Sequence, residues 1–432
     1  MPDRQPSEPA KAPHFAAPFL PKLVTVFREG YGWSGLKADA VAGLTVAVVA
    51  LPLSMGIAIA SGVSPERGLY TAIFGGFIVS LLGGSRFQIG GPAGAFIALV
   101  AIVVQKHGYD GLALATAMSG VMLLIGALLR LGGLIRYIPH AVIVGFTAGI
   151  AVIIAASQVS EVLGLTIAHE PPELLPKLAA LKDAIATVNW QALAVGIFTI
   201  AIIVGIRYAR PNWPGFLIAI VAATLLYAVL QLEIVTVFSR FGAVPQSFPP
   251  ITVPPFSIEK AIILLPDAAA FALLGAIESL LSAVVADKMG NARHRSDGEL
   301  GAQGVANIVS VLFGGICVTG TIARTATNVR AGARGPIAGM LHSAYLLLFL
   351  MLAAPLIGLI PLAALGAMLL VVSWSMTDRE DFYKMLVAMR GDALVLMTTF
   401  ALTIFVNLIA GIVVGCAIAA IVRWQGRRRA EV

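Results

Sequence analysis

Charged residues are scarce in this chain, and cysteine is nearly absent. Only 12% of the 432 residues are Asp, Glu, Lys or Arg, and 59% are hydrophobic, whereas soluble domains are about one-quarter charged. The two cysteines, Cys317 and Cys416, lie in separate apolar runs, so the sequence gives no sign of a disulfide framework or a cysteine-based metal site. An ordinary soluble protein is excluded, because its core would not need so much apolar surface. No metal or other cofactor is expected.

Long apolar runs occupy almost the whole chain from Val41 onward, with short polar joints between them. A helix needs roughly 20 apolar residues to cross a bilayer, and lipid requires every backbone polar group to be paired within the segment. The sequence therefore predicts an all-α polytopic membrane protein with fourteen segments in two sets of seven. The predicted segments are residues 39–60, 69–82, 91–105, 112–130, 139–160, 191–207 and 215–232, then 262–285, 299–313, 321–330, 336–353, 355–375, 391–408 and 410–424.

The basic residues test this count, because cytoplasmic joints of membrane proteins carry an excess of Lys and Arg. With the N-terminus inside, most of the 29 Lys and Arg residues fall on the inner joints. The pattern predicts a multi-pass membrane protein with both termini in the cytoplasm, and the family resemblance given below implies the bacterial inner membrane. The net charge of +7 then reflects topology and gives no reason to expect a nucleic-acid partner.

Three parts of the chain are predicted from this pattern. Residues 1–36 form a Pro-rich cytoplasmic tail that lacks the apolar core of a signal peptide. Its mildly amphipathic stretch around Phe15–Phe27 is expected to lie on the membrane surface. Residues 37–425 form the transport domain, with repeats at approximately 37–232 and 260–425, and residues 426–432 form a cytoplasmic stub.

A short glycine-rich pattern occurs at matching places in the two halves. Leu82-Gly83-Gly84 precedes the first short segment and Phe313-Gly314-Gly315 precedes the second, a difference of 231 between residue numbers 82 and 313. With this offset, Ala93 corresponds to Arg324. Because each half has seven segments, the halves insert with opposite orientation. Short, glycine-interrupted segments at matching places in inverted repeats indicate the binding site of a transporter; chance similarity between Gly-rich membrane segments is the alternative.

Two such segments suit an anion. Each half-helix exposes unpaired N–H groups at its N-terminus and carries about half a positive charge there, so two facing N-termini form an anion site. Arg324 adds a full positive charge, and an intramembrane cation is a functional candidate because insertion is costly. A salt bridge that merely joins two helices is the alternative role for Arg324.

Glu278 is the other charge deep in a predicted segment. A carboxyl placed between an apolar surrounding and a nearby cation can take up and release a proton during a transport cycle. Three roles stay open for Glu278: proton coupling, a structural counter-charge for Arg324, and a cation ligand.

Four motifs resemble the SulP family of sulfate permeases and their animal solute-carrier relatives, which include prestin. The match covers nearly all of residues 39–424. The motifs are Leu51-Pro52-Leu53-Ser54-Met55-Gly56-Ile57-Ala58 with Gly68-Leu69-Tyr70; Gly84-Ser85-Arg86 with Gly91-Pro92; Glu278-Ser279-Leu280-Leu281-Ser282 with Gly301-Ala302-Gln303-Gly304 and Ala306-Asn307; and Ile322-Ala323-Arg324-Thr325-Ala326-Thr327-Asn328.

The resemblance implies two inverted halves divided into a mobile core and a gate, with an anion site between the third and tenth segments. The substrate-binding residues that it implies are Leu53, Ile57, Pro92, Ala93, Ala323 and Arg324. Many family members have Gln-Gly at Leu53-Ser54, an aromatic residue at Ile57, and Ser at Ala323. The pocket is thus less polar on two walls than in those members.

The resemblance also implies the coupling and the assembly. Members that use sodium for bicarbonate tend to have Asp at the position of Glu278, whereas proton-coupled relatives have Glu. The expected partners are therefore a small anion, protons with sodium as the alternative, and membrane lipid. A C4-dicarboxylate such as fumarate, sulfate or bicarbonate is the expected substrate, moved by an elevator-type secondary transporter. A homodimer is expected, and the family's cytoplasmic STAS domain has no counterpart in the sequence.

Two alternatives share this architecture: an anion channel or prestin-like voltage-responsive protein, and a nucleobase permease. Arg324 argues against the second of these. An enzyme is not expected, because the sequence has no His-Glu-x-x-His motif and no Ser/His/Asp set at a suitable depth.

Overall fold

The fold is described by a computed structural model that covers residues 17–167, 170–171, 173–211, 213–387 and 390–430. Residues 1–16 of the predicted tail and the last two residues of the predicted stub lie outside the described residues.

The first half of the chain is helical apart from one very short strand. Its elements are α1 (Lys22–Arg28), α2 (Trp33–Ala60), α3 (Pro65–Tyr70), α4 (Gly76–Leu82), β1 (Gly90–Gly91), α5 (Ile97–Leu128), α6 (His140–Leu163), α7 (Leu174–Asp183), α8 (Trp190–Ala209) and α9 (Gly215–Leu230). A π-helical turn (Thr71–Gly75) joins α3 to α4, and a 3₁₀ turn (Gly94–Phe96) leads into α5.

The second half has the same character. Its elements are α10 (Val237–Phe241), α11 (Ile258–Gly290), α12 (Ser296–Leu312), β2 (Thr319–Gly320), α13 (Ile322–Arg330), α14 (Ile337–Gly358), α15 (Leu362–Met376), α16 (Arg379–Val387), α17 (Arg390–Phe405) and α18 (Leu408–Ala430).

These elements supply all fourteen predicted segments. The second segment combines α3, the π turn and α4, and the third and fourth segments are the two parts of α5. Gly108 divides α5, because its φ of 67° lies in the left-handed region that glycine adopts at little cost. The all-α polytopic prediction is therefore confirmed, and both short segments are present as the start of α5 and as α13.

Two predicted boundaries differ from the helix ends. The first segment begins at Trp33, before the predicted domain start at residue 37. The last helix continues to Ala430, so no helix end marks the predicted boundary between residues 425 and 426. Both extensions add polar turns, which apolar-run counting does not detect.

The helices pack as two groups that mix the halves of the chain. In the core, α5 packs against α11 and α12, and α14 packs against α2 and α4. In the gate, α6 packs against α15 and α17, and α8 packs against α9 and α15. The two groups meet where α2 faces α15: a Cβ at Gly56 would lie 3.2 Å from Leu369.

The N-terminal helix α1 contacts the core at the loops that contain Gly83 and Arg295. The Lys22 N–H donates to the Gly83 carbonyl at 2.9 Å, and the Arg295 guanidinium donates to the Leu20 carbonyl at 2.8 Å. Val26 is 2% exposed. The membrane-surface position of this stretch stays a prediction; its described part also contacts the core through its backbone and through the buried Val26.

Tyr31 and Asp39 extend this contact. The Tyr31 hydroxyl donates to the fully buried Asp39 at 2.7 Å, and Asp39 also accepts from the backbone N–H groups of Arg334 and Gly335. Burial, together with the bond to Asp39, raises the pKa of Tyr31. Tyr31 therefore keeps its hydroxyl proton at physiological pH. The hydrogen bond from Tyr31 to Asp39 thus does not change with pH in this range.

Candidate functional site

The two short segments meet at a small antiparallel sheet. Gly90 pairs with Gly320, and Gly91 pairs with Thr319. This pairing was not predicted, because two-residue strands leave no periodic signal in a sequence. The pairing makes Gly90, the first residue of β1, equivalent in the repeat to Thr319, the first residue of β2, a difference of 229 between their residue numbers. The predicted difference was 231, so the predicted equivalence of Ala93 and Arg324 is wrong by two residues.

Each strand leads directly into a helix N-terminus. Ala93 and Thr321 are the extended residues before the two half-helices, with φ/ψ of −117°/145° and −107°/118°. Neither side chain caps its helix; the Thr321 hydroxyl donates to the Ile89 carbonyl at 3.2 Å. The first-turn N–H groups of both half-helices are thus available to an anion placed between them.

Arg324 lies in the first turn of α13, and its guanidinium lies against Gly91 of β1 and Ser54 of α2. Nη2 donates to the Ser54 hydroxyl at 3.1 Å and to the Pro92 carbonyl at 3.4 Å. The residue is 2% exposed, and its Nε and Nη1 have no hydrogen-bond partner. Among the described residues, no acidic side chain forms an ion pair with it. The positive charge therefore stays uncompensated next to the two helix N-termini.

Gly91 makes room for this charge. A Cβ at Gly91 would lie 2.2 Å from Nη1 of Arg324 and 3.6 Å from the Cβ of Ala72. The strand can therefore approach the guanidinium only with glycine at this position. The first short segment contributes backbone and space, and the second contributes charge.

Glu278 lies on the face of α11 that holds β2, but it does not pair with Arg324. The next residue, Ser279, accepts a hydrogen bond from the Gly320 N–H at 3.1 Å and bonds the Thr319 hydroxyl at 2.7 Å. The Glu278 Oε2 atom is buried without a hydrogen-bond partner. A counter-charge role for Glu278 would require direct contact with Arg324, and no ion pair joins the two side chains among the described residues.

The remaining predicted residues surround this centre. Pro92 and Ala93 are buried beside Arg324, and Leu53 and Ile57 on α2 are 6% and 3% exposed in the same apolar cluster as Ala93. Ala323 differs from them because it is exposed at the start of α13. The first turn of this half-helix is therefore accessible at Ala323, while Arg324 and Thr325 in the same turn are buried.

Several residues that position the site were not singled out from the sequence. Ser54 accepts from Arg324, Thr325 Oγ1 accepts from the Ile89 N–H at 3.0 Å and from Ser282 at 3.1 Å, and Asn328 donates to the Phe87 carbonyl at 2.9 Å. Each lies in one of the quoted motifs. The signal that could have identified these three residues is a hydroxyl or amide side chain in a mostly apolar segment.

Glu299 forms a second buried polar network behind β1. Its Oε1 accepts from Gln88 at 2.8 Å and from Gln303 at 3.0 Å, and its Oε2 accepts from the Ser85 N–H at 3.0 Å. Glu299 is fully buried. These bonds tie the loop before β1 to α12 and so fix the direction from which the first strand enters the site.

Asn307 holds the other strand through two hydrogen bonds to Val318, which immediately precedes β2. Its Nδ2 donates to the Val318 carbonyl at 2.9 Å, and its Oδ1 accepts from the Val318 N–H at 3.0 Å.

We expect Asn307→Ala to lower the free energy of unfolding by about 1–3 kcal/mol, because it leaves two buried backbone groups unpaired. Thermal unfolding in detergent measures this loss. Asn407→Ala is a control, since Asn407 is exposed and caps the start of α18; an equal loss in both variants would contradict the strand-holding role.

Comparison with known proteins agrees with this geometry. Residues 36–399 match the model of the sulfate permease family. YvdB of Bacillus subtilis is 40% identical over 392 residues, which cover 90% of this chain and 74% of YvdB. The bicarbonate transporter BicA of Picosynechococcus is 31% identical over 399 residues, which cover 89% of this chain and 69% of BicA.

Solved structures show the same fold. The transmembrane domain of a cyanobacterial BicA superposes with a TM-score of 0.78 at 29% identity, covering 90% of this chain and 98% of that domain. The murine solute carrier 26 member A9 anion transporter, in an inward-facing state, gives 0.85 at 18% identity, with coverage of 98% and 74%. The resemblance found in the four motifs is confirmed. This chain belongs to the sulfate permease family of membrane anion transporters.

Proposed function

We propose that this protein is a secondary active transporter of a small anion, which binds between Ala93 and Ala323. The observation that carries the proposal is the meeting of two uncapped half-helix N-termini beside an arginine that has no acidic partner in the described residues. Such a site attracts one negative group and cannot hold a cation without repulsion.

An elevator-type movement fits the two groups of helices. Strands β1 and β2 bind to core elements through Ser279, Asn307 and Thr325, so the site moves as part of the core. The gate reaches the site mainly with apolar side chains: a Cβ at Gly94 would lie 2.9 Å from Ile154 and 3.8 Å from the Met376 sulfur. An apolar contact of this kind can slide, because it has no hydrogen bonds to break.

The open side of the site is proposed to face the cytoplasm. Ala323 is exposed and Thr327, one turn further along α13, is half-buried. This face of α13 runs from the site towards Arg330 at the inner end of the helix. The protein is then in an inward-facing state. We also propose that it lies in a bacterial inner membrane with both termini in the cytoplasm. There it contacts lipid and forms a homodimer.

Sulfate, bicarbonate and a C4-dicarboxylate such as fumarate are the proposed substrates. Bicarbonate is transported by the relative BicA, and the family takes its name from sulfate. The walls formed by Leu53 and Ile57 offer no polar group of their own, which favours an anion with some apolar surface or a single charge.

The test of this function is uptake into proteoliposomes. Labelled sulfate, bicarbonate, chloride and fumarate are compared with and without an imposed proton or sodium gradient, and uracil is included. Saturable uptake of one anion is expected. Uptake of uracil without any anion would overturn the proposal, and unitary currents in a planar bilayer would show a channel instead.

Proton coupling through Glu278 gives a separate prediction. Glu278→Gln keeps the shape of the side chain but cannot exchange a proton, so uptake should lose its acceleration by an inward proton gradient while anion exchange remains. The matched control is Glu259→Gln, since Glu259 is exposed near the start of the same helix. Unchanged proton dependence in Glu278→Gln would make Glu278 structural, and dependence on sodium would make it a cation ligand.

A further inference from the structure

A cavity of about 300 Å³ lies between the core and the gate, at the ends of the helices that the proposed topology places outside. The outer end of α2 and the first part of α5 line it from the core, and the outer part of α6 lines it from the gate. Lys177 of α7 and Glu170, in the segment between α6 and α7, complete the lining. The transport mechanism described above does not use this cavity.

The walls of the cavity continue outward from the anion site. At the site, a Cβ at Gly94 would lie 2.9 Å from Ile154 of α6, and Ile57 of α2 lies in the same apolar cluster as Ile154. One or two helical turns further out, the same three parts of the chain line the cavity with Ala60, Ala101 and Ser157. Because Ile57 and Ile154 are 3% and 1% exposed, apolar side chains separate the site from the cavity. An anion that leaves the site outward between core and gate would enter this cavity.

Lys177 is a buried cation in the lining of this cavity. It is 8% exposed, and lysine is almost never buried to this degree unless it is paired. Its Nζ lies 2.9 Å from Oε1 of Glu170, and this oxygen forms the ion pair without a hydrogen bond. The other oxygen, Oε2, accepts from the Ser160 hydroxyl at 2.8 Å. Lys177 and Ser160 therefore already hold one carboxylate beside the outward path of the anion.

The remaining charge in the cavity is compensated. Glu161 also lines it, but Glu161 forms an ion pair with Arg240 of α10. No further charged side chain lines the cavity in the part of the chain that the structure describes. If Glu170 moved away, Lys177 would be a buried positive charge without a partner, and such a charge strongly favours a replacement anion.

We propose that Lys177 and Ser160 form an outer binding subsite for the transported anion, which the Glu170 carboxylate occupies until an anion replaces it. This inference rests on the proposed function. The subsite suits a small oxyanion of the carboxylate or bicarbonate kind, because the group that it holds in this structure is a carboxylate. The exchange makes and breaks no covalent bond, and it leaves Lys177 paired with one negative group before and after, so the buried cation is never exposed to the cost of losing its partner.

The test measures the KM for anion on the outer side. Intact bacterial cells that express the full chain take up labelled fumarate, and separately labelled sulfate, and uptake by cells without the protein is subtracted. We expect Lys177→Gln to raise the external KM by about tenfold, because one charge-assisted contact with the entering anion is lost. Glu170→Gln should lower the external KM, because a neutral amide competes less well than a carboxylate for Lys177. Lys177→Arg keeps the charge and should stay near the wild-type value.

The opposite directions of these two changes separate a subsite from a purely structural contact. If the ion pair only attached α7 to α6, both variants would break the same contact and shift the external KM in the same direction. A shift in the same direction, or a wild-type KM in either variant, overturns the proposal. The result for Glu170→Gln is decisive alone if Lys177→Gln does not fold. The controls are Lys182→Gln and Glu173→Gln, since both residues are exposed close to the pair in sequence.

Failure of the proposed function gives a different result. Wild-type cells would then show no saturable uptake of either anion. Saturable uptake in the wild type, together with an unchanged external KM in both variants, would remove the outer subsite and leave the site at Arg324 in place.

Discussion

Arg324→Ala is expected to abolish anion uptake while the protein still folds. The guanidinium supplies the only full positive charge described beside the two half-helix N-termini, and its two hydrogen bonds reach Ser54 and the Pro92 carbonyl. Removing a preorganised charged donor typically costs about 10²–10³-fold in rate. Burying a cation without an acidic partner costs stability, so its loss should leave unfolding temperature unchanged or raised. Uptake into proteoliposomes and thermal unfolding in detergent are measured together.

Arg423→Ala is the control, because Arg423 is an exposed arginine near the end of α18. Arg324→Lys separates charge from geometry: lysine keeps the charge but cannot reproduce the planar contacts of the guanidinium, so partial uptake is expected. Wild-type uptake in Arg324→Ala would rule out the site. Loss of uptake together with loss of folding would instead make Arg324 a structural residue.

Gly91→Ala should reduce uptake by about tenfold or more, since misplacing a reacting or binding group by ~1 Å can cost about 10²-fold. The new Cβ would lie 2.2 Å from Nη1 of Arg324, so the guanidinium has to move away from β1. The end of an arginine side chain can shift, and we therefore expect the variant to fold. Initial uptake rates at several anion concentrations check the prediction.

A double variant identifies the cause of this loss. If Gly91→Ala acts only by displacing Arg324, adding it to Arg324→Ala should cost nothing further. Gly205→Ala serves as the control, because a Cβ at Gly205 meets no atom within 4 Å. Additive losses in the double variant would show that Gly91 acts through the strand itself and not through the arginine.

The number and order of the long apolar segments follow from the sequence because lipid imposes a single simple requirement. The short helices α1, α7, α10 and α16 in the polar parts were not predicted. Apolar length and the placement of basic residues are enough to find segments such as α6 and α8, which cross as continuous helices. The same reasoning misplaces helix ends such as Trp33, since polar turns outside the bilayer obey no length rule. Amphipathicity alone does not say whether lipid or protein covers the apolar side of the stretch before Arg28.

The site was predictable in composition but only partly in geometry. A cation among small residues identified Arg324, and the glycines around Gly91 identified the first half-helix. The pairing of β1 with β2 was beyond reach, because it depends on contacts between residues far apart in the chain. For the same reason, no local pattern marked Ser54 as the partner of Arg324.

The contact between α1 and the core attaches the N-terminal segment to the core, so the segment would move with it. Lys22 is bonded through its backbone to Gly83, and the neighbouring Leu20 and Thr25 both accept from Arg295. These attachments all lie on the core, the group of helices that the proposed elevator mechanism moves. A fluorescent label near Lys22 and a second label near Arg423, towards the end of the gate helix α18, would form a pair. The distance between the two labels would report the displacement of the core relative to the gate. Each transport step could then be followed from the cytoplasmic surface without placing a probe in the permeation path.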